Sequence, residues 1–172
     1  MIKLISNYIT PEEETLLLSQ FRKTPLSPTK ERNSIIRYGS SLPYQGRVKP
    51  EIPLYWNFLL ERLRKHDIID SDSITVNEYH PNQAISYHID SPSSGPAIIV
   101  LSLLSHATMA MRPKHTKSDI TNYVLPPRSL LIMTEEHRYQ WEHSILPVTS
   151  HRYSVVFRKG TISPPRDEIR SK

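Results

Sequence analysis

Two histidines, an aspartate and a pair of arginines are the residues of this chain whose types and spacing could do chemistry. The triplet His88-Ile89-Asp90 closes the segment ITVNEYHPNQAISYHID, residues 74–90. Side chains along a strand alternate between faces, so residues two apart share one. An imidazole nitrogen and a carboxylate oxygen therefore face the same way and can bind one ion. The same alternation groups Thr75, Asn77 and Tyr79, with Val76 and Glu78 on the reverse side. A third ligand is needed, and His143 in the strand-like run YQWEHSI is best placed, because that run can return beside HID in an antiparallel sheet. The other histidines end a helix (His66), adjoin a turn proline (His80) or fall near turns and loops (His106, His115, His137 and His151).

Two imidazoles and one carboxylate on one face of an octahedron leave three positions open, the arrangement in which Fe(II) holds a co-substrate and dioxygen. The same ligand types also suit zinc and hydrolysis. The run RYSVVFRK bears on the choice. Alternation puts Arg152, Ser154, Val156 and Arg158 on one face and Tyr153, Val155 and Phe157 on the other. Two guanidinium groups inside a small β-domain are costly unless anions pair with them. A dicarboxylate would suit their planar forks, whereas hydrolytic zinc chemistry would leave them without that partner.

Helices and strands must position these groups. Thr10-Pro11-Glu12-Glu13 reads as a helix start, with Thr10 as cap, Pro11 in the first position and Glu13 reaching back, and a helix to about Lys23 follows. Residues 24–50 are rich in Pro, Ser and basic residues, with one β-like piece at Ser34 to Tyr38, and form a long surface element. In PLYWNFLLERLRKH, residues 53–66, Leu54, Trp56, Leu59, Leu60 and Leu63 recur at helical spacing. From Ser73 onward short β-branched and aromatic runs alternate with turn residues, which predicts a mainly β fold, a sandwich or barrel with helices packed outside.

A chain of 172 residues suits one hydrophobic core, so residues 1–160 are expected to form a single domain and the polar stretch 161–172 a flexible tail. The absence of cysteine removes disulfides, thiolate zinc sites, iron–sulfur clusters and cysteine nucleophiles. No apolar run approaches the roughly 18 residues of a membrane span, and the start MIKLISNYIT lacks a secretory pattern. An intracellular monomer, cytoplasmic or nuclear, is expected. The formal charge of +5 favours an anionic partner such as nucleic acid.

The stretches VNEYHPNQAISYHID, LSLLSHATMAMRP, LPPRSLLIMTEEHRYQWEHSI and RYSVVFRK occur in an order that resembles the AlkB family of Fe(II)/2-oxoglutarate dioxygenases over roughly residues 34–160, above all its branch containing the tRNA wobble-uridine hydroxylase domain. The resemblance implies a double-stranded β-helix, or jelly roll, with His88, Asp90 and His143 as catalytic Fe(II) ligands, and with 2-oxoglutarate and O2 as co-substrates. It implies that Arg152 pairs with the distal carboxylate of 2-oxoglutarate, and that Asn77, Tyr79, Ser154 and Arg158 line its pocket. Ser154 stands where many members carry asparagine.

By the same resemblance, residues 24–50 correspond to a nucleotide-recognition lid, with Arg37, Tyr38 and Tyr44 as phosphate or base contacts. Tyr139 and Trp141, alternating with His143, would border the substrate. The implied reaction is hydroxylation or oxidative demethylation of a nucleic-acid base in RNA or single-stranded DNA, tRNA included, with the base unpaired or flipped to reach the metal. The alternatives are a protein-directed hydroxylase or demethylase, and a non-catalytic nucleic-acid-binding module.

Overall fold

The computed structural model of the chain describes residues 1–24, 27–28, 34–39 and 50–160. Its elements in chain order are β1 (Ile2–Ile5), α1 (Pro11–Phe21), β2 (Ser27–Pro28), β3 (Ser34–Gly39), α2 (Asn57–Lys65), β4 (Ser73–Tyr79), β5 (Ile85–His88), β6 (Ala97–Leu103), β7 (Ala107–Pro113), β8 (Thr121–Leu125), β9 (Leu130–Thr134), α3 (Glu135–Tyr139), β10 (Trp141–Ile145) and β11 (Arg152–Arg158). They form a major sheet of order β1-β9-β6-β11-β4-β3-β2 and a minor sheet of order β5-β10-β7-β8. The pairings are antiparallel, as expected of a jelly roll. No helix among the described residues is long and apolar enough to cross a membrane.

The period of two in the major-sheet strands builds two separate cores. Ile74 and Val76 of β4, with Tyr153, Val155 and Phe157 of β11, join Leu17, Phe21, Trp56, Leu59 and Leu63 of the helical layer. Burying one such side chain is worth about 1.5–3 kcal/mol. The opposite face turns Tyr79, Ile98, Leu131, Met133 and Val156 toward Met109, Met111 and Ile145 of the minor sheet. Between these sheets lie the polar residues singled out above.

Helix α1 begins as the sequence implies. The Thr10 hydroxyl accepts the Glu13 amide (3.2 Å), while the Thr10 amide donates to the Glu13 carboxylate (2.9 Å). That carboxylate also takes Nη1 (2.9 Å) and Nη2 of Arg62, tying the start of α1 to α2. The Arg62 hydrogen bond, reinforced by the Thr10 amide, holds the Glu13 carboxyl below its ordinary value of 4.5 despite burial. A depressed carboxyl stabilises the fold above its unfolded pKa, and that contribution is lost as pH falls through the lower folded value. Glu13→Gln is therefore expected to cost about 1 kcal/mol at pH 7, with a penalty that shrinks below pH 4.5 in urea titrations across pH.

Two elements depart from the pattern read in the sequence. Strand β1, which the sequence reading did not foresee, adds to the edge of the major sheet by pairing Ile2–Ile5 with β9. The run read as one strand, YQWEHSI, is split: residues up to Tyr139 belong to α3, and β10 starts at Trp141. Helix α3 has Glu135 and Glu136 in its first turn and His137 and Arg138 in its last, charges that complement its dipole. The second helical run opens with a 3-10 turn at Leu54–Trp56 before α2.

Candidate active site

The minor sheet brings the predicted ligands together. His143 of β10 lies directly opposite His88 of β5, their ring centroids 4.3 Å apart. Asp90, two residues beyond β5's last position, places Oδ1 3.6 Å from Nε2 of His88. One ligand atom from each of the three residues lies within 4.8 Å of the others. The pairing of β5 with β10 shifts register between His143↔His88 and Ile145↔Ile85, so β5 carries one more residue than its partner there. Such a bulge re-aims side chains. It lets Ile85, packed against the inter-sheet core, share a face with His88. The Ser86 carbonyl accepts a 2.8 Å hydrogen bond from Nδ1 of His88, which puts the proton on Nδ1 and leaves the Nε2 lone pair toward Asp90.

Charge around the triad suits a cation. Arg158 crosses from the major sheet to donate Nε (3.0 Å) and Nη2 (2.8 Å) to Oδ2 of Asp90, and Nη1 (3.2 Å) to the Thr75 hydroxyl. Burial pushes the Asp90 carboxyl up, yet Arg158 and the two imidazoles outweigh it and hold the group below its ordinary range. Burial and the neighbouring His88 push His143 down to about 4, so its ring is neutral at pH 7 and able to ligate. Nδ1 of His143 is buried without a hydrogen-bond partner among the described residues. The donor set thus fits a divalent ion.

The loop after Asp90 is held by Arg138 from α3, which the sequence reading passed over. This side chain is 1% exposed. Its guanidinium donates to three carbonyls, those of Gly95 (3.1 Å), Asp90 (3.0 Å) and Ser91 (2.6 Å). Gly95 has φ +88 and passes so close to the Lys159 carbonyl that a Cβ would lie 2.0 Å from it, which excludes any larger residue. Arg138→Met leaves those carbonyls unserved and is expected to cost about 2–4 kcal/mol of stability. It should also weaken metal affinity about tenfold through Asp90, as lost outer-shell support does. Chemical denaturation and Mn(II) titration measure the two effects.

The strand that supplies Arg158 also carries a second buried cation, Arg152, paired across the ladder with Tyr79. Arg152 is fully buried at 0% exposure and spans the Tyr79 ring, its guanidinium carbon 5.1 Å from the centroid. Nη2 donates to the Ser102 hydroxyl (3.1 Å), while Nε and Nη1 have no hydrogen-bond partner among the described residues. Burial pulls the Arg152 pKa down. Asn77 donates from Nδ2 to Oγ of Ser154 (3.1 Å), the residue directly across in register. Among the described residues no carboxylate pairs with Arg152, so a buried charge keeps two open donors, a costly arrangement without an anion.

Geometry separates the remaining candidates. Arg37 lies opposite Thr75 and so is on the face of the site, and it is exposed. Tyr38 is on the other face, buried in the helix-side core with its hydroxyl accepting from Tyr55 (3.3 Å), so it does not meet a substrate from there. Neighbours in a strand cannot share a face. Tyr44, most of the segment 24–50 and the tail 161–172 lie outside the described residues. Tyr139 does not alternate with His143, because it sits in α3, 46% exposed and stacked on Arg138 (4.9 Å). Trp141 packs in parallel with His137, centroids 5.0 Å apart. Ser102 was also unforeseen, although a lone hydroxyl in the buried run AIIVLSL was a visible signal.

Comparison with known proteins agrees with this architecture. The chain belongs to the 2OG-Fe(II) oxygenase superfamily, whose family model matches residues 3–161. Its members are oxidoreductases that use Fe(II), 2-oxoglutarate and O2. The chain is 33% identical over 156 residues to the tRNA (carboxymethyluridine(34)-5-O)-methyltransferase alkbh8 of Xenopus tropicalis, a match covering 84% of this chain and 25% of that protein. It thus spans about a quarter of that relative. Among solved structures, OsALKBH1 superposes with a TM-score of 0.66 at 15% identity over 92% of this chain and 97% of that one. A Pseudomonas putida prolyl-4-hydroxylase superposes with a TM-score of 0.68 at 13% identity, covering 93% and 92%. The jelly roll and the likeness to AlkB-type proteins expected from the motifs are both found.

Proposed function

We propose that this chain is a 2-oxoglutarate-dependent oxygenase that hydroxylates or oxidatively demethylates a base of RNA or single-stranded DNA, with a tRNA base as the first substrate to test. The carrying observation is the completely buried Arg152, with two donors unpartnered among the described residues, in the same strand whose Arg158 holds Asp90 of the His88, Asp90 and His143 cluster. Such a charge has a physical reason to exist if a carboxylate arrives with the co-substrate. On this reading His88, Asp90 and His143 hold the ion. When bound there, Fe(II) with 2-oxoglutarate and O2 supplies oxidation of a C–H bond, with succinate and carbon dioxide as co-products.

The chain's own residues then bind and orient. Arg152 grips the far carboxylate, aided by the Ser102 hydroxyl that already receives Nη2. Tyr79 provides an apolar wall beneath that guanidinium, and Asn77 and Ser154, bonded to each other, form the pocket's polar wall. Arg158 keeps Asp90 ionised and aimed. Residues 1–160 act as one catalytic domain, a reading supported by the family match over 3–161. The basic balance of 22 Lys and Arg over 17 Asp and Glu favours a polyanion, and the tRNA-directed name of the Xenopus relative supports RNA.

Succinate release tests the reading. Wobble-modified tRNA anticodon stems and methylated single-stranded oligonucleotides are expected to stimulate turnover above the substrate-free rate, with the modified base consumed in step. Stimulation by peptides while every oligonucleotide stays inert would replace the nucleic-acid substrate with a protein one. Absence of 2-oxoglutarate turnover in the iron-loaded protein would overturn the enzymatic assignment.

A further inference from the structure

A second group of metal-binding side chains, Glu78, His80 and His151, lies apart from the first triad. Glu78 sits between Asn77 and Tyr79 in β4 but points to the opposite face of the sheet, toward Tyr153 of β11 across the ladder. His80 follows Tyr79, and His151 precedes Arg152. The group therefore caps the end of β4 and the start of β11 where Tyr79 and Arg152 are paired.

We propose that Glu78, His80 and His151 form a divalent-cation site for a zinc-like ion that staples β4 to β11 behind the co-substrate arginine. The Glu78 carboxylate is 7% exposed. Its Oε1 accepts the Tyr153 hydroxyl at 2.7 Å and lies 2.7 Å from Nε2 of His151, while Oε2 lies 3.8 Å from Nε2 of His80. Among the described residues no lysine or arginine pairs with this carboxylate, and its cationic partners are two imidazoles that carry charge only when protonated. A divalent cation held between this carboxylate and the two imidazoles supplies the fixed positive charge that no lysine or arginine among the described residues provides.

The spacing fits such an ion. Zinc bonds of about 2.0–2.1 Å at tetrahedral angles separate ligand atoms by about 3.3 Å, a value bracketed by the two carboxylate–imidazole separations of 2.7 and 3.8 Å. The rings of His80 and His151 lie parallel, 3° apart in plane and 5.1 Å between centroids, with both Nε2 edges toward one carboxylate. Their side chains are 60% and 43% exposed, so they can swing the last few tenths of an ångström, and an ion can enter. Tyr153 fixes the carboxylate from behind, the role of an outer-shell donor in a metal site. Two imidazoles and one carboxylate with an open position suit zinc, which binds such N/O sets more tightly than ferrous iron does.

Metal-free full-length protein, titrated with Zn(II) by calorimetry and with Co(II) by its visible spectrum, tests the site without any turnover assay. Wild type is expected to bind two Co(II) per chain. The His88→Ala/His143→Ala protein should keep one site of micromolar or tighter Zn(II) affinity, and Zn(II) should raise its melting temperature. Adding His80→Ala/His151→Ala to it should weaken Zn(II) binding about a hundredfold or more and abolish the thermal shift, and adding Tyr153→Phe should weaken binding about tenfold. Zn(II) binding that persists without His80 and His151, or none at micromolar Zn(II) in the His88→Ala/His143→Ala protein, would reduce the cluster to a hydrogen-bonded His–Glu pair and overturn the proposal. Because these variants separate the two sites, failure of one assignment leaves the other standing.

Discussion

Arg152→Met is expected to weaken 2-oxoglutarate binding by about a hundredfold or more, since breaking a buried, hydrogen-bonded charge pair costs about 3–5 kcal/mol. Without co-substrate the same change should have the opposite sign. Arg152 is completely buried, and two of its nitrogens have no partner among the described residues, so the ligand-free protein carries a desolvated charge that methionine does not. The variant should be at least as stable as wild type, by about 1 kcal/mol or more if the apolar chain packs well against Tyr79. Arg152→Lys keeps the charge without the planar fork and should bind at an intermediate level. Co-substrate titration in the Mn(II)-loaded protein and urea melts of the ligand-free protein provide the pair of readings. Unchanged affinity together with a large loss of stability would make Arg152 a structural residue and remove the anion pocket.

The second large effect distinguishes ligands that look equivalent in the sequence. His88→Ala and Asp90→Ala should each reduce metal affinity at least about a hundredfold, beyond what loss of an outer-shell partner typically costs. Their metal-free stabilities should differ. Asp90 is the partner of the guanidinium of Arg158, itself only 20% exposed, so Asp90→Ala leaves that charge nearly buried and unpaired. A cost of about 2–3 kcal/mol follows after allowing for its residual contact with water. His88 is partly exposed, and among the described residues its ring hydrogen-bonds only to the Ser86 carbonyl, so its loss should cost about 1 kcal/mol or less. Denaturation of the two metal-free variants side by side measures the gap, and equal stabilities would show that Arg158 does not depend on Asp90.

Alternation along strands made much of this legible in advance. It set Asn77 with Tyr79, and Arg152 with Ser154 and Arg158, on the faces where the structure has them. The same rule shows why Tyr38 and Arg37 part company: consecutive strand residues face opposite ways, and Tyr38 fell to the apolar side. Features that break regular alternation were hidden. The short α3 interrupts the run leading to β10, which took Tyr139 out of line and brought Arg138 in beneath the Asp90 loop. Ser102 and Arg138 act through strands and carbonyls remote in sequence, so neither local pattern nor composition marks their partners.

The extra residue in β5 sets the phase of the whole metal centre. With ordinary one-to-one pairing from Ile145↔Ile85, Tyr87 would come opposite His143, and a phenol would stand where the imidazole does now. Deleting Ser86 would restore even pairing and still deliver His88, with the Ile85 carbonyl moved to the i−2 place that Ser86 now holds, but the bulge that aims the ring would be gone. Such a chain would keep all three side chains and lose the fixed aim of one. Spacing along β5 is thus as much a requirement for binding an ion as the identities of the ligands themselves.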